Sequence, residues 1–189
     1  MKMDITTIQQ VFDKHKTDKG FYHEYYQVYH DVFAAIPNPT KILEIGVKNG
    51  RSLASWCELF PKADVVGLDT KTQELIPAAS FARVVIGNST STDISKQLGS
   101  GFDVIIDDGD HHVDVQWETF QNFKRNFTGA YVIEDVFGVE NVAILQKRLI
   151  SRGFTNLKLY QSKKTDAVMV KGFGTVPIFA FYSIVVYKD

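Results

Sequence analysis

A single cysteine, Cys57, stands in the 189 residues, so no disulfide can form within the chain, which fits a reducing compartment. Following Trp56 in a helical pattern, it reads as a structural cysteine. Long apolar runs are also missing: the longest are strand-sized, and no basic-apolar leader opens the sequence, so neither secretion nor a membrane span is expected. Neither charge dominates. Lys and Arg number 21 against 22 Asp and Glu, interspersed to a net −1, which leaves no electrostatic footprint for nucleic acid. Internal repeats, low-complexity tracts and interdomain linkers are absent too. With 44% hydrophobic residues, the expectation is one cytoplasmic globular domain with a sizeable core.

Two apolar runs end in acids. Residues 102–112 read FDVIIDDGDHH, so Val104, Ile105 and Ile106 lead into Asp107, Asp108, Asp110, His111 and His112. Residues 130–135 read AYVIED and deliver Glu134 and Asp135 in the same way. Such apolar runs suit a parallel sheet, and carboxylates suit the C-terminal strand ends, where open α/β sheets place their ligands. Adjacent strands lie about 4.8 Å apart, so acids at two neighbouring strand ends converge. Carboxylates that close repel one another unless protonated or bridged by a cation. Oxygen ligands without cysteine favour Mg²⁺, Mn²⁺ or Ca²⁺. The competing reading has Asp110 and Asp135 capping the helices that follow them.

The pattern around these runs alternates. Helical spacing covers 5–15 and then 22–35, where Tyr22, Tyr25, Tyr26, Tyr29 and Phe33 form an aromatic stripe expected to pack on a sheet, before Pro37 and Pro39. Strands are expected at 41–45, 64–68, 83–86, 102–107 and 131–134. Helices are expected at 51–60, 92–98, 113–127 and 141–152. Segments 156–160 and 179–187 are β-rich without a long helix between them, which predicts an antiparallel pair at one edge. Gly172, Gly174 and Pro177 predict a loop at 171–177 bordering the site. The fold class is α/β, a doubly wound and mostly parallel sheet. An N-terminal helical cap over 1–40 precedes a core over 41–189.

The first strand runs into Gly46 and Gly50, which permit a tight turn and close approach of a ligand to bare backbone and a helix N-terminus. The spacing is G-x-x-x-G, with Lys48 where a dinucleotide fold would place a middle glycine, and this argues against NAD. About twenty residues on, Val65 to Leu68 form an apolar run ending in Asp69, placed either to cap the next turn or to accept hydrogen bonds from ribose hydroxyls. Leu43, Glu44, Ile45, Gly46 and Gly50 resemble the first motif of the class I S-adenosylmethionine-dependent methyltransferases, and Asp69 resembles their ribose-binding acid. The resemblance implies a Rossmann-like seven-stranded sheet and this cofactor. It also implies cofactor contacts at Glu44, Gly46, Gly50 and Asp69, and at Asn88 on the adenine side. Asp107, just inside its strand end, would sit near the sulfonium. Trp117 is placed either on adenine or in the core.

A narrower resemblance spans nearly the whole chain. Thr17, Asp18 and Lys19, then His23, Tyr25 and Tyr29, then residues 43–47, then 106–111, then 132–135 are similar, in order, to the metal-dependent sugar O-methyltransferases of macrolide biosynthesis and the related cephalosporin-hydroxylase-like proteins. This implies Mg²⁺, or another divalent ion that prefers oxygen, on Asp108, Glu134 and Asp135, and His111 as general base, with Lys19 facing the cofactor carboxylate. Two departures stand out: Asp110 replaces the subgroup's usual serine, and His30 stands where some members carry a further acidic ligand. His112 is the alternative base, ahead of His15, His23 and His30. The expected activity is methyl transfer to a hydroxyl of a sugar or glycosylated small molecule, with homo-oligomerisation as a way to complete the pocket. The rival expectations are a cofactor-binding module with a decayed metal site and a nicotinamide-dependent oxidoreductase.

Overall fold

The computed structural model describes residues 3–71, 74–170 and 174–188, with the side chains of 163–179 excepted. Seven helices and a short 3₁₀ turn at Pro77–Ala79 are found among these residues. The helices are α1 (Ile5–His15), α2 (Asp18–Phe21), α3 (Tyr26–Ala35), α4 (Arg51–Leu59), α5 (Thr92–Leu98), α6 (Val113–Phe123) and α7 (Gly138–Ser151). Strands β1 (Lys41–Ile45), β2 (Asp64–Asp69), β3 (Arg83–Ile86), β4 (Phe102–Asp107), β5 (Phe127–Phe137), β6 (Leu157–Val170) and β7 (Gly174–Tyr187) form one sheet. Its order is β3-β2-β1-β4-β5-β7-β6. The first five strands run parallel, and β7 lies antiparallel between β5 and β6. No described helix is long and apolar enough to cross a membrane.

Strand alternation divides the core in two, because successive side chains point to opposite faces. Ile42, Val104, Ile106, Ala130 and Val132 join Phe12, Tyr29, Phe33 and Trp56 on the face covered by α1, α3 and α4. Leu43, Ile105, Tyr131 and Ile133 join Phe120, Phe123, Leu145 and Leu149 on the face covered by α6 and α7. The N-terminal helices therefore share one apolar cluster with the sheet.

Three expectations needed correction. The helix expected over 22–35 is broken: α2 ends at Phe21, and α3 starts at Tyr26. Glu24 takes a left-handed φ of 54°, while backbone bonds from His23 to Asp18 and from Tyr25 to Lys19 close the turn. Helix α6 stops at Phe123 rather than Phe127, because Phe127 pairs with Phe102 and opens β5. The loop expected at 171–177 is largely strand: residues 174–177 begin β7 and pair with β6, while 171–173 lie outside the described residues.

Candidate active site

A cleft of about 840 Å³ opens at the C-terminal ends of β1, β2 and β4. One wall is the turn after β1. There Gly46 has a φ of +88°, and a Cβ on it would lie 2.0 Å from the backbone oxygen of Asp108. Glycine is thus needed first for the two strand-end turns to meet, and the bare backbone facing the cleft follows from that. Lys48 is also left-handed, at φ 51°, so the turn is built without the missing middle glycine. The amides of Val47 and Lys48 donate to Asp69 Oδ2 at 2.8 and 3.1 Å. These backbone bonds outweigh the effect of burial and hold the Asp69 carboxyl below its ordinary range. Asp69 and Asn88 both line the cleft, as does Gly46. Gly50 caps α4 beside Ala79 and Leu75.

The remaining residues expected at the cofactor sit elsewhere. Asp107 points to the α6 face, 1% exposed, where Tyr131 donates to it at 3.1 Å. Burial pushes its carboxyl up to about 7. Glu44 is fully buried on the opposite face, where it accepts a bond from Ser52 at 2.8 Å. Lys19 is 1% exposed and does not itself line the cleft. Its Nζ lies 2.6 Å from Asp108 and 3.4 Å from Glu44, and it donates a short bond to Glu134. Alternation explains the company: Glu44 follows Ile42, Asp108 follows Ile106 and Glu134 follows Val132 on one face of the sheet. Trp117 stacks on Phe120 and lies under Arg148, in the core reading rather than on the cleft.

The acids above this buried layer converge. Ligand atoms of Asp108, His111 and Asp135 lie within 4.8 Å of one another. The two carboxylates are oxygen donors that a divalent ion fits, and the imidazole stands beside them. All three residues line the cleft that Gly46 and Asp69 also line. Asp135 reaches this position through a bulge: the β5–β7 register shifts between Ile133 and Val136, and Asp135 is left-handed at φ 51°. Tyr25 donates a short hydrogen bond to Asp135 Oδ1, and His23 Nδ1 lies 3.5 Å from the same oxygen. Burial, with Asp108 adding to it, raises the Asp135 carboxyl above its ordinary range. Glu134 is the expected ligand that stays out of this cluster. It is 1% exposed, with Lys19 on Oε2 and Tyr29 on Oε1. Burial comes first in raising its carboxyl, opposed by Lys19.

Among the histidines, His111 Nε2 faces Asp135 Oδ2 at 3.9 Å and its Nδ1 is buried without a partner. His112 is exposed and stands at the cap position before α6, and its amide donates to Asp110 at 2.8 Å, so Asp110 serves the turn before the helix. His15 pairs with Glu58, and His30 lies with Asp31 and Gln27. Sequence reasoning left the tyrosine stripe as packing. The missed signal was chemical: buried tyrosines, unlike phenylalanines, need partners for their hydroxyls, and Tyr25 and Tyr29 find theirs in Asp135 and Glu134.

No protein-family model matches the chain. It is 27% identical over 139 residues to the 8-demethyl-8-(2-methoxy-alpha-L-rhamnosyl)-tetracenomycin-C 3'-O-methyltransferase of Streptomyces olivaceus, over 66% of this chain and 35% of that protein. It is 30% identical over 133 residues to the mycinamicin VI 2''-O-methyltransferase of Micromonospora griseorubida, over 62% of this chain and 33% of that protein. The chain therefore spans about a third of the length of the curated relatives it matches. Among solved structures, the mycinamycin-pathway methyltransferase MycE in complex with Mg and SAH superposes with a TM-score of 0.67 at 21% identity, over 95% of this chain and 54% of that one. An O-methyltransferase from Bacillus cereus in complex with SAH gives 0.61 at 16%, over 98% and 92%. In strand order the chain has the fold of these methyltransferases, and in sequence it is similar to the two O-methyltransferases over about a third of their length.

Proposed function

We propose that this protein is an S-adenosylmethionine-dependent, divalent-metal-assisted O-methyltransferase acting on a hydroxyl of a sugar or glycosylated small molecule. One observation carries the reading: the Asp108, His111 and Asp135 ligand atoms gather within 4.8 Å in the cleft that Gly46 and Asp69 line. The names of the relatives, which are sugar O-methyltransferases, support the acceptor class. MycE, solved with Mg, SAH and mycinamycin VI, supports the pairing of metal with cofactor. The lone Cys57 supports a cytoplasmic setting.

The residues divide the work. Asp69, Asn88 and the Gly46 turn would hold the nucleoside, with the Asp69 carboxylate fixed by the backbone amides of Val47, Lys48 and Lys71. Asp108 and Asp135 would hold the divalent ion. A bound Mg²⁺ or Mn²⁺ would lower the pKa of a hydroxyl it coordinates. The His111 Nε2, facing the acid pair, would take that proton as the oxygen attacks the sulfonium methyl in line, with no covalent enzyme intermediate.

Calorimetric titration with S-adenosylmethionine and S-adenosylhomocysteine, with and without Mg²⁺ and with NADH as control, tests the reading. Binding of the sulfonium cofactor and its product, but not of NADH, is expected. Silence toward both would remove the cofactor assignment. Asp108→Ala should then abolish metal-dependent methylation of sugar hydroxyls while leaving cofactor binding largely intact. Loss of cofactor affinity with no effect on metal dependence would remove the metal assignment.

A further inference from the structure

Three carboxyl groups, from Glu44, Asp108 and Glu134, surround the Lys19 ammonium, and of these Asp108 alone lines the cleft. Lys19 and Glu134 are each 1% exposed. Both Glu134 oxygens are engaged, one by Lys19 and the other by the Tyr29 hydroxyl, and its backbone oxygen accepts from Gln116 at 2.8 Å. The Lys19 Nζ takes Asp108 Oδ2 at 2.6 Å, and an Asp108 carboxylate oxygen lies within 4.8 Å of ligand atoms of Asp135 and His111.

We infer that Lys19 is a positioning residue of the metal site. Its buried ammonium keeps Glu134 as a fixed internal partner, so that a divalent ion is held from the cleft side by Asp108 and Asp135 beside His111. This rests on the metal reading above. An acid cluster with no internal cation would bind a divalent ion by charge alone, tightly and with little preference of position. With its ammonium between Glu44, Asp108 and Glu134, Lys19 confines the metal to the open side and weakens its binding.

Titration of the 189-residue chain with Mn²⁺ by calorimetry tests this, with circular dichroism and S-adenosylhomocysteine affinity as checks on the fold. Lys19→Met should bind Mn²⁺ about tenfold more tightly or better, because a unit charge a few ångströms away in a partly screened interior is worth at least that much. A merely structural lysine would, on removal, loosen the site and weaken the metal. Lys19→Met/Glu134→Gln removes both charges of the pair, avoids a buried unpaired acid and decides the matter if the single variant does not fold. It should return to within about threefold of the native affinity, since mutually paired residues compensate in a double-mutant cycle. Unchanged or weaker binding by a folded Lys19→Met overturns the inference. A double variant that binds about tenfold more weakly than native also overturns it, because Glu134 would then be a ligand. If Asp108→Asn weakens Mn²⁺ binding while Lys19→Met changes nothing, the metal reading stands and Lys19 alone is misassigned. Absence of Mn²⁺ binding in both native and Lys19→Met proteins removes the metal reading and this inference together.

Discussion

At the residue scale, the site is an economy of hydrogen-bond partners around buried acids. Tyr29 donates to Glu134 from a fully buried position, and burial, reinforced by Glu134, keeps its own hydroxyl protonated. Tyr29→Phe leaves one carboxylate oxygen without its donor and should cost about 1–3 kcal/mol in urea unfolding, with cofactor affinity unchanged. A loss below the error of that measurement would mean the bond contributes nothing net. His111 is partly open to the cleft, where the proposed reaction uses it as the base. His111→Ala should lower turnover by about 10²–10⁴-fold, the usual contribution of a general base, while the cofactor dissociation constant barely moves. Near-normal turnover would place the base elsewhere.

At the element scale, β5 does the most to shape the cleft. An uninterrupted strand would send Glu134 and Asp135 to opposite faces of the sheet. The left-handed residue at 135 and the register shift beside it re-aim Asp135 toward Tyr25, His23 and His111, as bulges next to active sites do. Holding that carboxylate close to Asp108 under partial burial works against stability. Asp135→Asn keeps the acceptor for Tyr25 and tolerates the left-handed backbone. It should raise the stability of the metal-free protein by about 1 kcal/mol at pH 8 and abolish the rise in Tm that Mn²⁺ produces. A full metal-induced rise in the variant would take Asp135 out of the ligand set. The break between α2 and α3 belongs to the same construction. It lets Lys19, His23 and Tyr25 reach the strand ends from one short segment, where a continuous helix would turn Tyr25 away from the face shared by Lys19 and His23.

For the whole molecule, stability should carry the mark of acids buried on folding. Burial raises the Glu44 carboxyl from its ordinary 4.5 to about 7, although Lys19 pulls the other way. The folded chain therefore holds a proton that the unfolded chain releases, and stability falls with rising pH wherever the folded state binds more protons. This contribution is fully present below about 4.5 and gone above about 7. Thermal unfolding of the native protein and of Glu44→Gln across that window checks it. The native protein should lose about 1–3 kcal/mol more than the variant between pH 5 and pH 7.5. Parallel curves would show that Lys19 keeps Glu44 ionised throughout.

The sequence by itself determined the strands and their order of use, because apolar period-two runs separated by helical patterns leave few alternatives for a doubly wound sheet. Segments 41–45, 83–86, 92–98 and 102–107 have in the structure the limits their patterns predict. It also determined which acids stand at strand ends, since Asp69, Asp108, Glu134 and Asp135 each follow an apolar run. Which of those acids face the cleft was decided by tertiary structure. Side-chain direction at 134 and 135 depends on a bulge that no local pattern encodes, and Asp107 and Asp108 part company according to which face of β4 they continue. Lys19 shows the same limit from the other side. Its sequence neighbours suggested a cofactor contact, whereas its charge is neutralised by residues 25, 89 and 115 positions away, which only the folded sheet brings within reach.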